Sequence, residues 1–284
     1  MKTLAHLSDL HFGREDPVVA EALVAELATL GLDLVVVSGD LTQRARRSEF
    51  AKAVRFLERL PRPQLVVPGN HDIPLFDVVR RFVSPLGRYR RYLNADRFPA
   101  FDDGELSVLG MCTARRYLWK DGSVDPSQLA AIQHAFADKR DRALRILVTH
   151  HPLVPRPGAH HPAIVTRGHE ATAAAAGAGV DLLLAGHLHT GSVSDLRTAE
   201  EDGHAVIVAQ AGTAVSVRRR HEPNSYNVLT LDGDRLSIAV RAWDGARFSA
   251  REEARFVRGS EGWRRAQAET GVQISTSTPS GQRT

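Results

Sequence analysis

Short apolar runs alternate with helical patterns through the first two-thirds of the chain. Thr3–Leu7 reads as a strand. In Val18–Leu30, Val18, Ala22, Leu23, Leu27 and Leu30 form one helical face that ends at Gly31. Leu34–Val37 is too short for a helix and apolar on both sides, the signature of a buried parallel strand. Ser48–Leu60 predicts a second helix stopped by Pro61, and Gln64–Val67 a third strand, so the order is that of repeated βαβ units. Further on, the helical pattern Phe76–Leu93 is interrupted by Pro85 and Gly87. Glu105–Gly110 and Leu144–Thr149 read as strands on either side of a helix over Pro126–Lys139, with Pro126 in its first turn. The alanine-rich segment Thr166–Gly179 predicts a helix and Asp181–Ala185 a strand.

After His189 the texture changes. Val193–Leu196, Ala205–Ala209, Ala214–Val217, Ser225–Leu231 and Leu236–Trp243 are strand patterns without helices between them, which predicts a second, antiparallel sheet. From about Ser260 the chain is polar and reads as a disordered tail. No repeat and no linker is visible. The expected organisation is therefore one α/β domain over residues 1–259, with residues 260–284 outside it; 284 residues are ample for such a core.

Composition adds exclusions. The single cysteine, Cys112, rules out a disulfide scaffold and reads as a core residue. No apolar stretch approaches the length of a membrane helix, and the apolar run before Ser8 and Asp9 is too short for a signal peptide. A cytoplasmic protein without a membrane span is the expectation. Lys and Arg number 37 against 33 Asp and Glu, a formal charge of +4. That mild excess suits a small anionic substrate. No long basic groove or aromatic stacking series points to nucleic acid.

The chemistry sits where predicted strands end. Five of them run directly into polar clusters: Ser8-Asp9-Leu10-His11, Gly39-Asp40, Gly69-Asn70-His71-Asp72, His150-His151-Pro152 and Gly186-His187-Leu188-His189. In a parallel sheet the carboxyl ends of strands share one edge, so these clusters converge on one crevice. Asp9, Asp40 and Asn70 offer oxygen and His11, His150, His187 and His189 imidazole, a mixture that suits Mn, Fe or Zn. Seven donors exceed one tetrahedral shell and suit two ions, which can clamp a phosphoryl group in displacement. Gly39, Gly69 and Gly186 stand at the strand-to-loop turns, where a positive φ or a close approach is needed. Runs of arginine at 80–91 and 218–220 read either as solvated faces or as a wall that attracts phosphate, and Arg44 likewise as solvated or phosphate-facing. His160, His161, His169, His204 and His221 lie away from the clusters and read as surface residues.

These five blocks, in order, resemble the signature of the calcineurin-like metallophosphoesterases. Ala211-Gly212-Thr213 and Ser225-Tyr226-Asn227 also resemble bacterial members. The resemblance implies a four-layer αββα sandwich of two mixed β-sheets flanked by helices, with a dinuclear site on its rim. It implies one transition-metal ion on Asp9, His11, Asp40 and His189, and a second on Asp40, Asn70, His150 and His187, with Asp40 bridging. His71 would stay off the metals and act at the scissile phosphate, which a hydroxide bridging the ions would attack. His151 competes with His150 for its place; family order favours His150. Gln43 and the GNHD block depart from the serine/threonine protein phosphatases, which carry Asp and GNHE there. HLSDLHFG and THHP look most like bacterial class III cyclic-nucleotide phosphodiesterases, so a phosphodiester is the expected substrate. Phosphomonoesters, nucleotide-linked lipid pyrophosphates, nucleic acid and a catalytically dead binding protein are the alternatives. Residues 73–120 would form a variable cap, and whether two chains pair into a homodimer is left open.

Overall fold

In β2 (Leu34–Ser38) every residue is buried, because both faces of the strand are covered. It lies between β1 (Lys2–Leu7) and β3 (Gln64–Val67), parallel to both, with Ala5 beside Val35 and Val37 beside Val66. The connecting helices are α1 (Pro17–Leu27) and α2 (Arg47–Leu57). Asp16 caps α1 by accepting from the Val18 and Val19 amides, and Pro17 occupies the first turn, where its missing N–H costs nothing. Beyond β1 the sheet continues antiparallel through β12 (Ser225–Asp232), β13 (Arg235–Trp243) and β14 (Phe248–Gly259). The protein is described from a computed structural model over residues 1–137, 142–155, 165–197, 205–219, 222–260 and 262–266.

A second leaf repeats the parallel arrangement. β5 (Leu106–Gly110), β7 (Leu144–Val148), β9 (Leu182–Ala185) and β11 (Ala205–Gln210) run parallel as neighbours. β4 (Ala100–Asp102) and β10 (Ser192–Arg197) add antiparallel strands to β5 and β11. α5 (Pro126–Phe136) and α6 (Gly168–Gly177) lie on the outer face.

Alternation along each strand builds the layers. Leu4, Val36 and Val67 of the first leaf meet Val108, Ile146 and Leu184 of the second in a central core. Their neighbours Ala5, Val35 and Val37 face Leu23, Leu27, Phe50 and Phe56 of α1 and α2. Leu109, Leu147 and Leu183 face Ile132, Phe136, Ala171 and Ala175 of α5 and α6. Helices, leaf, leaf and helices give the expected four-layer αββα sandwich. The two leaves are joined along one side by β15 (Gly262–Arg265), antiparallel to β14 and bridged to β11 at Ala205, so among the described residues one ladder runs on through twelve strands, with β10 paired to β11 as a thirteenth.

That last strand corrects the domain boundary expected at residue 259. Trp263 is 1% exposed in the central core, and its indole Nε1 donates to Asp181 Oδ1 at 3.0 Å. The rest of the expected tail, 267–284, lies outside the described residues, as do Lys139, His160, His161, His204, Arg220 and His221. The strand expected at Ala214–Val217 is a loop, buried from Ala214 to Ser216 and exposed at Val217. Its amides go to the Ser8 and Arg14 carbonyls rather than to a sheet neighbour, which pins it against the loops after β1. The interrupted helix over 76–93 divides into α3 (Val78–Val83) and α4 (Gly87–Tyr92) at Ser84-Pro85, because proline removes a donor where the helix would continue. Among the described residues no helix is long and apolar enough to cross a membrane.

One core residue makes stability depend on pH. His6 is fully buried on β1; its Nε2 lies 2.9 Å from Ser38 Oγ, and Asn227 Nδ2 donates to its Nδ1 at 3.3 Å. Burial pushes its pKa down to about 3. Between the ordinary histidine value of ~6.5 and that lower value, the unfolded chain takes up a proton that the native fold refuses. The stabilising contribution is whole above pH ~6.5 and is lost as pH falls towards 3, at up to about 1.4 kcal/mol per pH unit. Urea denaturation of the metal-free protein across that window checks this: His6→Gln should fall less steeply with acid than wild type.

Candidate metal centre

All five polar clusters follow parallel strands and meet at one rim of the sandwich. Asp9 and His11 follow β1, Asp40 follows β2, Asn70 and His71 follow β3, His150 follows β7, and His187 and His189 follow β9. To turn donors inward at the strand ends, the backbone enters the left-handed region at Asp9 (φ 54°), His11 (45°), Asp40 (52°), His187 (69°) and His189 (61°). Such conformations are uncommon for residues with a side chain and concentrate at functional sites. Gly39 adopts φ 95°, and a Cβ there would lie 2.7 Å from His150 Nδ1. At Gly69 a Cβ would collide with the Asp40 carboxylate. Both loops therefore require glycine to let the donors approach.

The seven expected ligands are brought together. His11 Nε2 lies 3.4 Å from Asp9 Oδ1 and 3.6 Å from Asp40 Oδ2. His189 Nε2 is 3.5 Å from Asp9 Oδ1, and His150 Nε2 is 3.4 Å from Asp40 Oδ2. His150 Nε2 also faces Asn70 Oδ1 at 3.2 Å and His187 Nδ1 at 3.3 Å. Asp40 stands between the two groups, with His11 on one side and His150 on the other. Ligands bound at about 2.1 Å in a tetrahedral shell are roughly 3.4 Å apart, so these separations fit a shared cation better than they fit direct hydrogen bonds. Asp9 Oδ1 and both ring nitrogens of His11 are buried without any hydrogen-bond partner, which is costly unless a cation satisfies the atoms aimed inward.

Charge supports the same reading. Burial alone would raise the Asp9 and Asp40 carboxyls. The surrounding imidazoles, His189 for Asp9 and His150 for Asp40, outweigh it and hold both below the ordinary carboxylate range. Burial opposes a charge on His150, but Asp40 beside it lifts the pKa to about 9. His187 is pushed down to about 3 by burial and by His150. The site thus holds Asp9 and Asp40 as ionised carboxylates, the form in which they bind a cation.

A sequence profile of calcineurin-like phosphoesterases matches residues 2–191. The chain belongs to the calcineurin-like phosphoesterase family. Among solved structures, the purple acid phosphatase PPD1 of yellow lupin (Lupinus luteus) seeds is similar at TM-score 0.63 and 14% identity. The match covers 88% of this chain and 52% of the lupin enzyme, so this chain spans about half of that protein's length. A dimetal phosphatase from Danio rerio is similar at TM-score 0.60 and 15% identity, over 88% of this chain and 98% of that one. A comparison with curated proteins finds no sequence match. These likenesses agree on the fold. The family and the clusters of His and Asp together support a dinuclear metal site and a metal-dependent hydrolase of phosphoesters.

Sequence reading missed several residues that hold this phosphoesterase site in shape. Asp72 is buried and accepts from the amides of Gly69, Leu41 and Thr42 and from Thr42 Oγ1, tying the loops after β2 and β3 together. Burial and the nearby Asp40 charge push its pKa up to about 6. Thr213 Oγ1 sits 2.7 Å from His189 Nδ1, and the Ser38 carbonyl accepts from His150 Nδ1 at 2.8 Å, so each imidazole presents Nε2 to the centre. His151 is spent on Thr113 Oγ1 at 2.7 Å and the Lys120 carbonyl at 2.9 Å, which leaves His150 facing Asp40. His71 lies at the rim, where its Nδ1 donates to the Gln43 carbonyl at 2.8 Å and its backbone amide donates to Asp40 Oδ1 at 2.8 Å.

The arginines divide. Arg81 is buried and donates to the Pro74 and Leu118 carbonyls, and Arg88 to the Ala45 carbonyl, so both fasten the 73–120 segment. That segment reaches the site through the Trp119 carbonyl, which accepts from Asn70 Nδ2 at 3.2 Å. Arg44 lies over the Phe76 ring. His169 is exposed, as expected. Arg218 is different: its Nη1 donates to His71 Nε2 at 2.6 Å.

Proposed function

We propose that the protein hydrolyses phosphodiesters with two transition-metal ions, Mn, Fe or Zn, held by Asp9, His11, Asp40, Asn70, His150, His187 and His189. The observation that carries this reading is the set of unpartnered buried donors, Asp9 Oδ1 and His11 Nε2, aimed at the same space as Asp40 Oδ2. When bound, the ions supply an activated water and neutralise charge on the phosphoryl oxygens. The chain's own part is positioning. Asp40 lies between the two ligand groups, the left-handed turns fix donor directions, and the Thr213 and Ser38 oxygens set the tautomers of His189 and His150.

His71 has the remaining role. The Gln43 carbonyl accepts a hydrogen bond from its Nδ1–H, so Nε2 is the atom left for the reacting ester. There it holds a proton for the departing alkoxide or stabilises charge on the phosphoryl group. The diester assignment is supported by the resemblance of His6–Gly13 and Thr149–Pro152 to class III cyclic-nucleotide phosphodiesterases. A panel on Mn-reconstituted protein tests it. Bis-p-nitrophenyl phosphate and a cyclic nucleotide should be turned over with kcat/KM at least about tenfold above p-nitrophenyl phosphate. The reverse order would make the enzyme a phosphomonoesterase.

A further inference from the structure

Beside His71, Arg14, Gln43, Val217 and Arg218 line a cavity of about 310 Å³. Arg14 comes from the loop after β1 and Arg218 from the loop after β11. Main-chain bonds lock the two loops together: the Val217 amide and Ser216 Oγ both donate to the Arg14 carbonyl, each at 2.9 Å. The backbone positions of the two arginines therefore belong to the scaffold, and their exposed side chains reach from it to the cavity.

Neither charge is paired with a carboxylate among the described residues. Among the described residues no carboxylate lies within 4 Å of Arg14 or Arg218, whereas Arg59, Arg80, Arg97 and Arg115 all have one. The nearest acid in sequence, Glu15, is committed to Lys52 at 2.6 Å and to the Gly13 amide. Arg218 spends Nη1 on His71 Nε2, a neutral acceptor. Gln43 Oε1, on the same wall, is buried with no hydrogen-bond partner. Two exposed guanidiniums and a buried, unpartnered amide oxygen on one cavity offer matching partners to an anion with an adjoining hydroxyl.

We propose that this cavity is a second anion subsite, which receives a phosphate of the substrate other than the one that is cleaved. The inference rests on the phosphodiesterase reading for the reaction itself and adds the substrate class: diesters of a sugar alcohol that bears a further phosphate. Arginine suits that task because its planar fork pairs with two phosphate oxygens at once. Arg218 links the subsite to the chemistry. Once a phosphate offers it a charged partner, it releases His71 Nε2 towards the reacting ester.

A matched pair of probes tests the subsite: thymidine 5′-(p-nitrophenyl phosphate) with and without a 3′-phosphate, on Mn-loaded protein. Wild type should favour the 3′-phosphorylated probe by at least about tenfold in kcat/KM, and Arg14→Ala and Arg218→Ala should each bring that ratio close to one. Calorimetric binding of thymidine 3′,5′-bisphosphate against thymidine 5′-phosphate reads the same preference without turnover. Equal kcat/KM for both probes in wild type overturns the subsite and leaves the phosphodiesterase reading standing. A loss of equal size on both probes in the arginine variants also overturns it, because the arginines would then grip the cleaved group. No hydrolysis of either probe, with an arginine-dependent preference for the bisphosphate, overturns the phosphodiesterase reading and leaves the subsite standing.

Discussion

Asp40→Asn should lower the metal content from about two ions per chain to one or fewer and cut the rate by on the order of 10³-fold or more. No other expected ligand stands between both groups: its Oδ2 faces His11 Nε2 at 3.6 Å and His150 Nε2 at 3.4 Å. Removing a carboxylate there leaves two cations less compensated at short range, and losing several kcal/mol of transition-state stabilisation is roughly a thousandfold. Asparagine is the informative replacement because position 40 sits at φ 52°, a conformation that asparagine tolerates and alanine resists. Its amide oxygen can still accept from the His71 N–H, which now bonds Asp40 Oδ1 at 2.8 Å, so the loop keeps its shape. Elemental analysis after Mn reconstitution, with a thermal melt as the control for folding, measures the outcome. An Asp40→Asn protein that binds two ions at the wild-type rate would show that the carboxylate does not bridge.

The convergence of the donor clusters was legible because each follows a short, mostly apolar run of the kind that forms a strand buried between two layers. Leu34–Val37 illustrates this: Val36 faces the central core and Val35 and Val37 face the helices, so the chain has no choice but to deliver Asp40 at the strand's end. β14 was not legible. Five consecutive positions from Ser249 to Glu253 are half or fully exposed, and Arg251-Glu252-Glu253 carries no apolar alternation, so its strand character comes from pairing with β13. Ala214–Val217 failed in the opposite sense. Ala214 and Val215 are apolar because they are buried, but the segment's hydrogen bonds go to loops, and no local signal separates the two cases.

Long-range partners were hidden for the same reason. Arg218 is 147 residues from His71, and in sequence it is one of three arginines in a row. Only the pinning of its loop against Arg14 selects it. Asp72 stands within a recognised block, yet its work lies between loops: it gathers four donors from the turns after β2 and β3. Five expected ligands held at positive φ make that scaffolding necessary. Each such residue costs on the order of 1 kcal/mol or more, and it persists only where surrounding contacts over-determine it.

His71→Ala should separate metal binding from chemistry. The variant is expected to keep both ions, because the His71 side chain makes its own bonds to the Gln43 carbonyl and Arg218, while the contact that supports Asp40 comes from its backbone amide. Its rate should fall by the ~10²–10⁴-fold typical of a positioned proton donor. The size of the fall should depend on the leaving group. A p-nitrophenolate departs with little help from a proton, so bis-p-nitrophenyl phosphate should lose less than a cyclic nucleotide, whose ribose alkoxide leaves poorly. Burial lowers the His71 pKa and the neighbouring Arg218 opposes a proton on Nε2, so the acid form depends on substrate drawing that arginine away. A loss equal across leaving groups would make His71 a clamp on the phosphoryl oxygens and not an acid. Loss of metal in the variant would place its imidazole among the ligands, beside His11 and Asp40, with which it shares a cluster of donor atoms.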